Sequence, residues 1–161
     1  MASEGFHTDG LPARSACGKR FAIVRTDWNN NITDRLSSSA RAALLEYGAG
    51  EADIFETTVP GAFELIFAAG SLARRGCYDA VIAIGCVVRG GTPHFDYICQ
   101  GVTQGLAQIN AESVTPVVFG VLTVNNYAQA EARCGGTEGD KGREFALTAI
   151  KMAQFVSQIG Q

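Results

Sequence analysis

The run Ala80–Val88, AVIAIGCVV, carries apolar groups on both of its alternating faces and no charge. A strand built this way has to be covered on two sides, and a parallel sheet with helices against each face does that. Gly85 and Cys86 keep it slim near its end. The rest of the chain repeats a strand-then-helix order around that run. Residues 21–24 (FAIV) form a shorter apolar strand running out into Thr26, Asp27, Trp28, Asn29, Asn30 and Asn31. From Ile32, apolar residues recur at Leu36, Ala40, Ala43, Leu44 and Tyr47, the spacing of one helix face, and Gly48 supplies a left-handed stop. Residues 52–59 have the β-branched and aromatic content of a strand, and Pro60 and Gly61 break it before a helix predicted over 62–75. Ile98, Val102, Gly105, Leu106 and Ile109 mark one face of a third helix, and Pro116 precedes a strand over 117–122. Residues 127–134 predict a short helix and 135–139 a loop. Phe145, Thr148, Ala149, Met152, Val156 and Ile159 mark a long final helix.

Four strands alternating with helices predict an α/β fold: a three-layer α/β/α sandwich with a central, mainly parallel four-stranded sheet, flavodoxin-like in plan. At 161 residues and 47% hydrophobic content the chain suffices for one domain, expected over residues 19–161. Residues 1–18 mix Gly, Ser, Pro and charge without an apolar period and are expected to form a flexible arm. A net charge of −3 gives no general attraction to polyanions, so nucleic acid and membrane surfaces are not expected partners. Cys17, Cys77, Cys86, Cys99 and Cys134 include no C-x-x-C pair, and an odd count is a poor disulfide framework. A reducing, cytoplasmic setting is expected, with no signal peptide and no apolar run of the roughly 20 residues that span a bilayer.

Ligands of such folds sit at strand C-termini. That rule gathers the loops after Arg25, Val59, Val88 and Thr123, where the chemically unusual residues lie. Residues 89–94 join the central strand to a helix through two glycines, a hydroxyl and a proline, a setting in which backbone N–H groups can face a phosphate. An ordinary structural turn has the same composition. His94, with only His7 besides it, excludes a multi-histidine metal site and suits proton transfer near neutrality. Trp28 stands among polar residues, where a planar ligand, a partner subunit or its own surface could cover it. Glu64 fits a helix's first turn in any protein. Arg133 and Lys141 flank a Gly-rich loop and suit either a phosphate or solvent. Cys86, Cys99 and Phe119 read most simply as core.

Taken together, VPGAFE at 59–64, GCVVRGGTPHFDY at 85–97, PVVFGVLT at 116–123 and ARCGGTEGDKG at 132–142, in that order, resemble the lumazine synthase family. The resemblance covers residues from about Phe21 to the end. It implies a transferase of riboflavin biosynthesis that condenses 5-amino-6-(D-ribitylamino)uracil with 3,4-dihydroxy-2-butanone 4-phosphate. The products are 6,7-dimethyl-8-ribityllumazine, phosphate and water, with no metal and no organic cofactor. By residue-for-residue matching, His94 is implied as the proton-transfer group and Gly91, Thr92 and Arg133 as phosphate binders. Trp28 is implied as the ring stacked on the pyrimidine. Ala62, Phe63, Glu64, Cys86, Val87 and Val88 would line the substrate pocket, with Asn29 and Lys141 as secondary contacts and Phe119 contributed by a neighbouring subunit.

Two residues depart from the family's usual pattern. Trp28 stands where most members carry Phe, and Asp140 replaces the usual Asn before Lys141. The larger indole suits riboflavin as an additional ligand. The family also implies pentamers with active sites between subunits. The loop at 135–141 lacks the insertion common in members that stop there, so an icosahedral shell of 60 chains is expected. Two other readings compete. A non-catalytic flavin- or lumazine-binding paralogue would keep the pocket but needs neither His94 nor Arg133. A flavodoxin-like electron carrier would need a phosphate loop after the first strand, and residues 26–31 contain no glycine.

Overall fold

The computed structural model describes residues 11–160. In chain order the elements are β1 (Phe21–Thr26), α1 (Asn30–Glu46), β2 (Ile54–Val59), α2 (Glu64–Arg74), β3 (Ala80–Val88), α3 (His94–Glu112), β4 (Val117–Val124), α4 (Tyr127–Glu131), β5 (Cys134–Gly136), β6 (Gly139–Asp140) and α5 (Lys141–Ile159). The four long strands form one sheet in the order β2-β1-β3-β4, parallel at every pairing.

Period-two alternation divides the interior into two cores. Phe21, Ile23, Ile82 and Ile84 point to one face and pack with Leu36 and Leu44 of α1 and Ala146 and Ile150 of α5. Ala22, Val24, Val81 and Ala83 point to the other, against Leu65 and Ala69 of α2 and Val102 and Leu106 of α3. Burying each large aliphatic side chain contributes about 1.5–3 kcal/mol. β1 and β3, covered twice, are the strands without alternating polarity, as the run at 80–88 requires. The three-layer sandwich of the sequence reading is therefore the observed architecture.

α1 and α5 meet closely. A Cβ on Gly142 would overlap the Leu36 carbonyl oxygen and lie 2.9 Å from Ser39 Cβ, so only glycine fits. Asp140 begins α5 by accepting from Arg143 N at 3.2 Å, and Ser39 Oγ donates to the same carboxylate at 2.6 Å. The departure from Asn at this position thus leaves a working N-cap.

Several boundaries differ from those read in the sequence. A 3₁₀ turn over Glu51–Asp53 precedes β2, which starts at Ile54 rather than Ala52. α2 opens at Glu64, because Pro60 and Gly61 feed a bend and turn first. The loop expected at 135–139 folds as the tip of the β5–β6 hairpin, with Gly135 and Gly139 at positive φ. Of the arm expected over 1–18, residues 1–10 lie outside the described residues. Residues 13–18 form turns that pack on the domain, with Ala16 fully buried and its N–H donating to the Tyr47 carbonyl at 2.9 Å. No helix among the described residues is long and apolar enough to cross a membrane.

Candidate active site

β1 and β3 lie side by side, so the loops at their C-terminal ends open onto a shared space. A cleft of about 520 Å³ lies there, lined by Trp28, Asn29, Gly61, Ala62, Phe63, Glu64, Cys86, Val87, Val88, His94 and Ile98.

The first wall is shaped by backbone. Asp27 N and Trp28 N donate to the carbonyls of Val59 and Pro60 at 2.8 and 3.1 Å, tying the β1–α1 turn to the end of β2. Thr26 Oγ donates to the Trp28 carbonyl at 3.0 Å, and buried Thr33 Oγ donates to the Thr26 carbonyl at 2.7 Å. Asn29 then takes φ 57°, a left-handed conformation that Asn adopts more readily than most residues. Its side chain does not cap α1; Nδ2 donates to the Cys86 carbonyl at 2.8 Å, joining the turn to β3. The turn leaves the Trp28 ring 74% exposed at the cleft. A ring folded away onto its own surface, one of the alternatives left open by sequence, is not what forms.

The opposite wall is the start of α2. A Cβ on Gly61 would sit 2.9 Å from Glu64 Oε2, so the carboxylate lies over the glycine in the helix's first turn. Phe63 stays 54% exposed beside it. Cys86 contributes to the cleft's floor, but its buried side chain packs in the α1 and α5 core, where burial pushes its thiol up to about 12 and keeps it neutral. Val87 and Val88 are half-buried.

His94 is the first residue of α3 and lines the cleft, while exposed Gly91 and Thr92 lie just before it in the loop. The helix start directs N–H groups toward this loop, where an anion is favoured. Asp96 stands in the first turn, as expected, but its carboxylate is bound by Arg89 at 2.8 and 3.2 Å.

Five expected residues are not among those lining this cleft: Gly91 and Thr92 stand in the loop before α3, and Phe119, Arg133 and Lys141 lie elsewhere. Phe119 lies on β4, the open edge of the sheet, and is 40% exposed. The packed core ring suggested by its apolar neighbourhood is therefore corrected, because no strand continues the sheet past β4. Arg133, beyond α4, donates from NH1 to the Gln129 carbonyl at 2.9 Å and stands 3.9 Å from Glu138 Oε2. Lys141 pairs with Glu144 at 2.7 Å. Gly61 and Ile98 line the cleft without having been singled out. Gly61 was read only as a strand breaker, and Ile98 only as one position of a helix face.

The cleft offers an exposed aromatic face, an apolar floor, one carboxylate, one imidazole and a glycine-bearing helix entrance. Those groups suit stacking of a planar ring, binding of an anion and movement of a proton. Among the described residues no group of three or more His, Cys, Asp or Glu side chains is gathered as a metal ion would need.

Comparison with known proteins points the same way. The family profile described as 6,7-dimethyl-8-ribityllumazine synthase matches residues 18–157. A protein of that name from Phocaeicola vulgatus is 54% identical over 140 residues, covering 87% of this chain and 83% of its own. One from Porphyromonas gingivalis is 55% identical over 139 residues, covering 85% and 86%. One from Bacteroides fragilis is 52% identical over 137 residues, covering 85% and 96%.

Proposed function

The chain belongs to the 6,7-dimethyl-8-ribityllumazine synthase family, and from that membership we infer how its cleft works. The enzyme is a transferase of riboflavin biosynthesis. It condenses 5-amino-6-(D-ribitylamino)uracil with 3,4-dihydroxy-2-butanone 4-phosphate to give 6,7-dimethyl-8-ribityllumazine, phosphate and water. Nothing in the relatives favours a non-catalytic paralogue, since each is named a synthase.

The observation that carries the site assignment is the convergence of Trp28, Glu64, Cys86, Val87, Val88 and His94 on one cleft at the C-terminal ends of β1 and β3. The pyrimidine stacks on Trp28, with Asn29, Ala62, Phe63 and Glu64 beside it and the Cys86–Val88 backbone beneath. Gly91 and Thr92 meet the phosphate at the entrance of α3. Imine formation, phosphate elimination and ring closure all move protons, and His94 is the imidazole placed to carry them. No metal or organic cofactor enters these steps.

Phe119, Arg133 and Lys141 are absent from the walls of the protomer's own cleft, which supports completion of each site by a second copy. In that arrangement Arg133 meets the phosphate, and Phe119 and Lys141 close the pocket from across the interface. Pentamers of this kind, twelve to an icosahedral shell in the cytoplasm, are the assembly we propose.

Mixing the two substrates with purified protein and following lumazine absorbance tests the assignment. His94→Ala should slow turnover by about 10²-fold, the lower end for a lost acid–base group, because holding two reactants together still accelerates the reaction. Wild-type rates in that variant at every pH would contradict the role.

A further inference from the structure

The loop between β3 and α3 has little to hold it in shape. Residues 89–94 are all exposed, and a Cβ placed on Gly90 or Gly91 would meet no atom within 4 Å. Two adjacent glycines carry the largest backbone entropy to be lost on ordering. The site reading nevertheless needs this loop fixed, because Gly91, Thr92 and His94 have to meet one substrate at once.

Arg89 is the residue that spans it. Its backbone N–H donates to the Val124 carbonyl at 2.9 Å, which anchors the loop's first residue to the end of β4. Its guanidinium reaches over the loop to Asp96, with NH2 donating to Oδ1 at 2.8 Å and NH1 to Oδ2 at 3.2 Å. Nε donates to Asn125 Oδ1 at 3.2 Å, and the guanidinium carbon lies 4.2 Å from the centre of the Phe95 ring. A planar fork satisfied on its edge by a bidentate carboxylate, on its stem by an amide and on its face by an aromatic ring is held in one orientation. The hydrogen bond from Arg89 holds the Asp96 carboxyl below the usual carboxylate range, so the pair is charged on both sides at neutral pH.

The two side chains are 43% and 59% exposed, and pairs this accessible contribute little to global stability. What the pair does is local. It joins the residue before the glycines to a residue two positions after His94.

We propose that Arg89 is a positioning residue for the condensation, clasping Asp96 across the loop so that Gly91, Thr92 and His94 are set before the phosphate-bearing substrate arrives. The proposal rests on the assignment of this loop to phosphate and proton transfer given above. It is distinct from a direct contact between Arg89 and the phosphate, since all three guanidinium nitrogens already donate, Nε to Asn125 and NH1 and NH2 to Asp96.

Arg89→Lys, Asp96→Asn and the double variant separate the possibilities by steady-state kinetics with both substrates and by thermal melting. Each single variant should lower kcat/KM for the dihydroxybutanone phosphate by about 10-fold, as small misplacements of reacting groups do. KM for the ribitylaminouracil and the melting midpoint should stay unchanged. The double variant should be no worse than either single one, because all three break the same clasp, and Asp96→Glu should recover part of the loss. Wild-type kinetics in Asp96→Asn, or tighter phosphate-substrate binding in it alongside a loss in Arg89→Lys, would overturn the clasp in favour of direct contact. A lowered melting midpoint with both KM values raised together would overturn it in favour of a merely structural pair. Where His94→Ala is slow but both single clasp variants match wild type, the clasp alone fails. Wild-type rates in His94→Ala overturn the site reading, and the clasp with it.

Discussion

Trp28 presents its ring to the cleft where the proposed site would stack a planar ligand. Its ring is kept out of the core by the hydrogen bonds of its own turn, so nearly three-quarters of its surface is free at the cleft. An indole gives a larger stacking face than the phenyl expected of the family at this position. The three fused rings of riboflavin extend farther than the pyrimidine of the substrate, and we propose riboflavin as an additional ligand stacked on that face. Titrating the protein with riboflavin should quench flavin fluorescence, and Trp28→Phe should weaken the quenching. Undiminished fluorescence at saturating protein would remove riboflavin from the ligands of this cleft. Cys86, by contrast, contributes shape rather than reactivity, because burial keeps its thiol protonated at any physiological pH.

At the scale of elements, the close approach of α1 and α5 depends on Gly142, where a side chain would displace the backbone of Leu36. Gly142→Ala should destabilise the fold by about 1–3 kcal/mol, the usual result of overfilling a packed contact, read as a lower urea midpoint with unchanged slope. An unchanged midpoint would mean that the helices separate without loss. Which elements form was legible in the sequence because the apolar period is strong: both faces of β3 are apolar, and α1 keeps a stripe from Ile32 to Leu44. Where they begin was less so. Local backbone turns set those ends, as with the 3₁₀ turn before β2, where Asp53 N donates to the Gly50 carbonyl, and the turn before α2, where Leu65 N donates to the Ala62 carbonyl. The site was legible in parts. Trp28 and His94 stood out as residue types near strand ends, whereas Glu64 read by itself as an ordinary first-turn acid and joined the candidate site only through the family resemblance. Arg89 did not stand out, because its partner Asp96 lies seven positions along the chain and reads by itself as an ordinary first-turn acid.

At the scale of the whole molecule, the proposed assembly divides the site between two surfaces of one protomer: the cleft, and an open β4 edge with Phe119 exposed, followed in the chain by Arg133 and Lys141. A head-to-tail contact between copies would bring the two together, and such contacts close into rings when the rotation allows. Sedimentation or light scattering should then give the mass of a 60-chain shell; a monomeric mass with full activity would refute completion between copies. The sharpest test is complementation. A chain carrying both Trp28→Ala and His94→Ala has lost its cleft, and a chain carrying Arg133→Ala has lost only what it lends. Each assembled alone should be severely impaired. Co-assembled in equal amounts, random pairing should restore about a quarter of the sites to wild-type composition, with lumazine formation recovering in proportion. If Arg133 instead served the cleft of its own chain, no mixed assembly would contain an intact site, and activity would stay at the average of the two impaired parents.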